Sequence, residues 1–187
     1  MSSLSSALSV LIYYGKMFLN AFNNNFDFVK KTNFLKLVFS VIVCQCAGIV
    51  GSLSVGTSVT TWYEPMLKPS FAPPNWVFAP VWTIMYTLMG IALYLIISDS
   101  KKSAERNVGL FFFGLQLVLN SLWTFLFFGL QNPPAAFLEI VLMWFCIFAT
   151  VYYFWRVRKQ AAYLLIPYLM WISFALVLNY AFWQINI

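Results

Sequence analysis

Five apolar stretches alternate along this chain with short polar breaks, and each could cross a hydrocarbon core of ~30 Å as a helix rising ~1.5 Å per residue. The pattern predicts helices over residues 37–59, 76–97, 108–130, 135–155 and 161–183. The breaks carry the charge. Lys16, Lys30, Lys31 and Lys36 precede the first stretch, Lys101, Lys102 and Arg106 follow the second, and Arg156, Arg158 and Lys159 follow the fourth. Only Lys68 lies in an intervening break, so ten of the 11 basic residues fall on one side of a five-span weave. Basic loops are retained on the cytoplasm-like face. The predicted fold is all-α: an integral membrane five-transmembrane-helix bundle with its N-terminus on the basic side.

Composition narrows the alternatives. Of the 187 residues, 62% are hydrophobic and 9% charged, whereas soluble domains carry about a quarter charged residues. The net charge of +6 sits in short loops, with no basic face to track phosphates, so nucleic acid is excluded as a partner and anionic lipid headgroups are expected instead. The three cysteines (Cys44, Cys46, Cys146) lie inside apolar stretches and read as small packing residues. Two regions are expected: an N-terminal extension, residues 1–36, and the transmembrane domain, residues 37–187. In the extension, Leu4, Leu8, Leu11, Phe18 and Phe22 recur at helical spacing among serines, but the apolar core is too short to span. It reads either as an interfacial amphipathic helix or as a targeting segment.

Within the spans, Ser40, Cys44, Gly48, Ser52 and Gly56 recur every fourth residue, a stripe that lets a second helix approach closely. Between the first two spans, Pro65, Pro69, Pro73 and Pro74 stiffen a long aromatic loop, which could cover one end of the bundle. Polar groups at membrane depth are costly. Gln116 and Asn120 share one face of the third span, as do Trp171, Ala175 and Asn179 on the fifth, and Trp82, Tyr86 and Gly90 on the second. For Gln45, Gln116 and Asn120 the plainer role is interhelical hydrogen bonding. Glu139, the one acid in a predicted span, is expected to reach water near the short Pro133-Pro134 turn. Trp62, Trp76, Trp155 and Trp183 fall near span ends, where the interfacial belt accounts for them. Turned inward, Trp82, Tyr86, Asn120, Trp171, Ala175 and Asn179 would line a small-molecule site of flat walls with few polar points.

Enzyme signals are sparse. Histidine is absent, the five acids form no pair, and there is no phosphate loop or Cys-x-x-Cys, so neither a metal site nor a required cofactor is expected.

One long motif carries more. It runs Trp62-Tyr63-x-x-x-Leu67-Lys68-Pro69-Ser70-Phe71-x-Pro73-Pro74-x-Trp76-Val77-Phe78-x-Pro80-Val81-Trp82-x-x-x-Tyr86-x-x-Met89-Gly90. Two more segments follow, Gln116-Leu117-x-Leu119-Asn120-x-Leu122-Trp123 and Pro167-Tyr168-x-x-Trp171-x-x-x-Ala175-x-x-Leu178-Asn179. In this order they resemble the TspO/MBR family. The resemblance implies five packed spans, often as a homodimer, and a cavity closed by the first loop. Its ligands would be protoporphyrin-like tetrapyrroles or other planar hydrophobic small molecules, in a receptor or carrier acting in stress response or tetrapyrrole homeostasis. Carried over, the ligand-binding residues would be Trp62, Tyr63, Trp82, Asn120, Trp171, Ala175 and Leu178. Trp82 and Trp171 match the pair linked in bacterial relatives to light-dependent porphyrin breakdown, so a porphyrin-degrading enzyme is the alternative, and a sterol- or lipid-binding transporter another. Two positions depart from the pattern. The cholesterol-recognition motif lacks its basic residue after Tyr180, which weakens the sterol reading, and Phe71 stands where many relatives have tryptophan. Without histidine, metal-free porphyrin fits better than haem. Its propionates would meet the Trp62 indole, the Tyr63 hydroxyl and Lys68 at the mouth. Bacterial inner membrane and organelle membrane suit the charge pattern equally.

Overall fold

The structure, a computed structural model, describes residues 31–100 and 103–187. The reading of residues 1–36 as amphipathic or targeting therefore falls, apart from the first turns of a helix, outside the described residues. Leu37–Ile187 form one compact unit.

Among the described residues five helices are long and apolar enough to cross a membrane. They are α1 (Lys31–Ser52), α2 (Phe78–Ile97), α3 (Ala104–Thr124), α4 (Pro133–Val157) and α5 (Lys159–Ile185). Their ends follow local chemistry. Ser103 caps α3 by accepting from the Arg106 amide at 3.2 Å, and the Arg106 guanidinium donates to the Ile96 and Ile97 carbonyls at the end of α2. Asn132 caps α4 through the Ala135 amide, with proline in the first turn, where no N–H is needed. Between α4 and α5 a single extended residue, Arg158 (φ −152°, ψ 107°), makes the connection; its amide donates to the Phe154 carbonyl at 2.7 Å.

The helices start and stop a few residues from the expected positions, most visibly at Lys31 and Ala104, and two C-terminal ends differ for a reason that shapes the site. The first helix ends at Ser52, not at residue 59, because the Ser/Thr-rich segment beyond it turns on itself. Thr60 and Thr61 both donate their hydroxyls to the Thr57 carbonyl, and Gly56 takes a positive φ of 44° that an L side chain resists. Val59–Tyr63 then forms a wide π turn. The third helix likewise ends in a π turn, Phe125–Gly129, instead of running on as regular helix.

The five helices close a ring. α1 crosses α2 where Gly48 faces the Tyr86 ring and Gly90 faces the Val41 backbone; a methyl group at either glycine would overlap its neighbour. Gln45 also donates to the Thr83 carbonyl and the Thr87 hydroxyl of α2, each at 3.1 Å. On its other side α1 meets α3, where Gly51 lies against Ser121 and Thr124 and the Ser121 hydroxyl donates to the Ala47 carbonyl at 2.8 Å. Stacked Phe113 and Phe154 join α3 to α4, the Trp144 indole donates to Ser173 between α4 and α5, and Trp82 meets Tyr168 edge-on between α5 and α2. The small-residue stripe is thus a seam only in part. Ser40 and Cys44 are buried and Gly48 makes the crossing, whereas Ser52 faces a cavity and Gly56 serves the turn.

Candidate functional site

The ring encloses a cavity of about 410 Å³. It lies in the half of the bundle where α1, α3 and α5 end and α2 and α4 begin, opposite the basic loops. Of the sequence-predicted residues, Tyr63, Trp82, Tyr86, Asn120, Trp171, Ala175, Leu178 and Asn179 all line it. Trp62 does not. It adjoins Tyr63 in the π turn, and only Tyr63 of the two faces the cavity. The Trp62 ring instead meets Phe127 and Phe182 edge-on at 5.5 and 5.9 Å, backing two walls of the cavity. Gly90, on the same face as Trp82 and Tyr86, faces the α1 backbone at Val41 and not the cavity.

The floor is polar but internally satisfied. Tyr86 donates to the Asn120 side-chain carbonyl, and the Asn120 amide donates to the Tyr168 hydroxyl at 3.0 Å. Tyr168 in turn donates to Gln116 at 2.8 Å, and the Gln116 amide points at the Met89 sulfur, 3.7 Å away. The chain ties α2, α3 and α5 together at mid-membrane, and the interhelical role expected for Gln116 and Asn120 holds. Nearer the mouth, Asn179 accepts from the Trp123 indole and donates to the Pro133 carbonyl, both at 3.0 Å.

Aromatic rings make the walls. Trp82 stacks on Tyr86 with centroids 5.5 Å apart, and Phe78 meets Trp171 edge-on at 5.9 Å. Around the mouth Tyr63 stacks on Phe182 at 5.4 Å, and Trp123 on Phe127 at 5.0 Å. Sequence reasoning missed Trp123, Phe127, Phe128 and Phe182 as lining residues. The π turn after α3 is the reason for two of them: an extra residue in the turn shifts the inward face, bringing both Phe127 and Phe128 to the cavity.

One buried donor of the lining is left over. The Trp171 indole N–H is buried and has no hydrogen-bond partner, although its residue lines the cavity. Glu139 is the other exception. Expected to reach water, it is only 8% exposed and neither carboxyl oxygen has a partner, because α4 packs that face inward from Ala136 onward.

The first loop covers the mouth. Lys68 places its ammonium 4.9 Å over the Tyr63 ring, and burial raises the Tyr63 hydroxyl above its ordinary pKa, so it remains a neutral donor through the physiological range. Phe71 meets Phe174 of α5 edge-on at 6.3 Å, so the position that departs from the family pattern still packs an aromatic against the bundle.

The molecule is therefore a multi-pass integral membrane protein with, among the described residues, five long apolar helices and an aromatic cavity lined in part by its first loop. Residues 40–184 match the TspO/MBR family, and the chain belongs to that family. Among its relatives, the tryptophan-rich protein TspO of Chlorobaculum tepidum is 42% identical over 152 residues, covering 81% of this chain and 96% of the relative. The translocator protein of Ovis aries is 38% identical over 146 residues, 78% of this chain and 86% of its own length. The protein CrtK of Rhodobacter capsulatus is 35% identical over 145 residues, 78% and 89% respectively.

Proposed function

We propose that this membrane receptor-type protein binds a planar, metal-free porphyrin-like tetrapyrrole in the aromatic cavity and serves as its receptor or carrier. The observation that carries the reading is the pair Trp82 and Trp171 on the walls of one shared cavity, with the Trp171 N–H unpartnered. Every other polar group of the floor is engaged within the protein, so a guest gains chiefly by burying flat apolar surface at ~25 cal/mol per Å² against the two indoles. Charged propionates find no free donor at the floor. They belong at the mouth, beside Lys68 and the neutral Tyr63 hydroxyl.

The test is a protoporphyrin titration of the purified protein in detergent, read by tryptophan fluorescence. Saturable quenching is expected, and Trp171→Phe should weaken affinity about tenfold, ~1.4 kcal/mol for the indole surface lost from the wall. Absence of quenching, or a Trp171→Phe protein with unaltered affinity, overturns the reading. The Trp82–Tyr86 stack favours a second reading, in which light drives oxidation of the bound porphyrin by dioxygen with these electron-rich rings as participants. Loss of the porphyrin Soret band under illumination, abolished in Trp82→Phe, would establish it.

A further inference from the structure

Among the described residues, one side chain at the end of α5 carries the hydrogen bonds that tie the first loop to it. The Leu67 amide donates to Asn186 Oδ1 at 3.1 Å, and Asn186 Nδ2 donates back to the Leu67 carbonyl at 3.0 Å. The carboxamide thus pairs with both peptide groups of one residue, as a neighbouring strand would. Its second N–H donates to the Phe182 carbonyl at 2.8 Å, which fixes the amide plane against α5. All three hydrogen-bonding sites directed at protein are used, on a residue 119 positions from Leu67.

What the clasp holds is the cover of the cavity. Leu67 precedes Lys68, whose ammonium lies over Tyr63, and Tyr63 lines the cavity while stacking on Phe182, the residue whose carbonyl the same amide engages. Elsewhere the loop leans on α5 through rings, such as Phe71 on Phe174, and braces itself through Asn75 and Glu64 at 3.4 Å. Ring contacts slide with little directional penalty, whereas a two-way amide pair has one register. Asn186 itself does not line the cavity.

We infer that Asn186 is a positioning residue: its two-way amide pair with Leu67 latches the first loop shut and sets how fast a guest enters and leaves the cavity, a role that rests on the ligand-binding reading above. The latch is closed over filled and empty cavity alike. It therefore slows opening in both directions and cancels from the equilibrium ratio. Removing it raises association and dissociation rates together and leaves affinity nearly unchanged, which loss of a wall residue would not do.

The first arm needs no ligand. Amide hydrogen exchange of the first loop, in the intact protein, should quicken about tenfold in Asn186→Ala, as expected for two exposed hydrogen bonds lost, while α3 and α4 exchange as before. Asn186→Asp keeps the acceptor but sets a carboxylate against two carbonyls, and should behave alike. Leu67→Ala retains both peptide groups and should leave loop exchange unchanged. In the second arm, stopped-flow quenching by protoporphyrin should show both rates raised severalfold in Asn186→Ala, with the dissociation constant altered less than about twofold. Unchanged loop exchange in both Asn186 variants, or an affinity that falls in step with a faster dissociation alone, overturns the latch. If wild-type protein fails to bind protoporphyrin, the functional reading falls, and the exchange arm decides the latch without it.

Discussion

The floor and the mouth of the cavity are built from different forces. At the floor, Tyr86, Asn120, Tyr168 and Gln116 form one hydrogen-bonded chain across three helices, and all four are buried. At the mouth, Tyr63, Phe127 and Phe182 are held by ring contacts 5.3–6.2 Å between centroids, with the Asn186 clasp above them. A chain of directional bonds in low-dielectric surroundings has one geometry and is expensive to leave half made. A cluster of rings tolerates displacement. The floor fixes the depth and shape of the site, and the mouth is the part that can give way to admit a guest.

Substitutions at the two ends should separate accordingly. Asn120→Leu should have the largest effect, since it strips the acceptor from Tyr86 and the donor from Tyr168 in the buried floor. A stability loss of ~3 kcal/mol, read from thermal unfolding in detergent, is expected. If the loss were under ~1 kcal/mol, the floor would not be the rigid element described. Next comes the pair of tryptophans. Trp123→Phe removes an indole already bonded to Asn179 and should lower stability by ~1 kcal/mol. Trp171→Phe removes one with no partner in the protein, so stability should stay within ~0.5 kcal/mol of wild type while porphyrin affinity falls. The reverse pattern would assign the free donor to the wrong ring. The smallest change belongs to the mouth: Tyr63→Phe keeps the stack on Phe182, and unfolding should move by less than ~0.5 kcal/mol.

The same contrast governs what could be read from sequence. Floor and wall residues lie on regular helices, where i and i+4 share a face, so Gln116 with Asn120 and Trp171 with Ala175 and Asn179 were legible by spacing alone. The mouth is built in part where periodicity fails, since Phe127 and Phe128 reach the cavity through a π turn. Phe182, one turn beyond Leu178, and Trp123, one turn beyond Asn120, continue faces already singled out and were open to the same spacing argument. The every-fourth-residue stripe on α1 was sound through Gly48 and misleading at Gly56, where the helix had already ended and the glycine answers a backbone need. Glu139 was misread because proximity to a helix end was taken as proximity to water. Neighbouring packing, which spacing within one helix does not encode, decided its burial.

Arg158 bridges α4 and α5 alone, and its amide closes the last turn of α4 while its carbonyl accepts from Ala161 at 3.1 Å in the first turn of α5. A joint with one link and bonds on both sides leaves these two helices no slack to part at that end. With Trp144 bonded to Ser173 midway and Asn179 to the Pro133 carbonyl at the cavity end, the two helices form a back plate that carries Met143 and Trp171. Any swelling of the chamber around a bulky guest is thereby thrown onto the opposite side, where α1 gives out early and its continuation is a loop of turns.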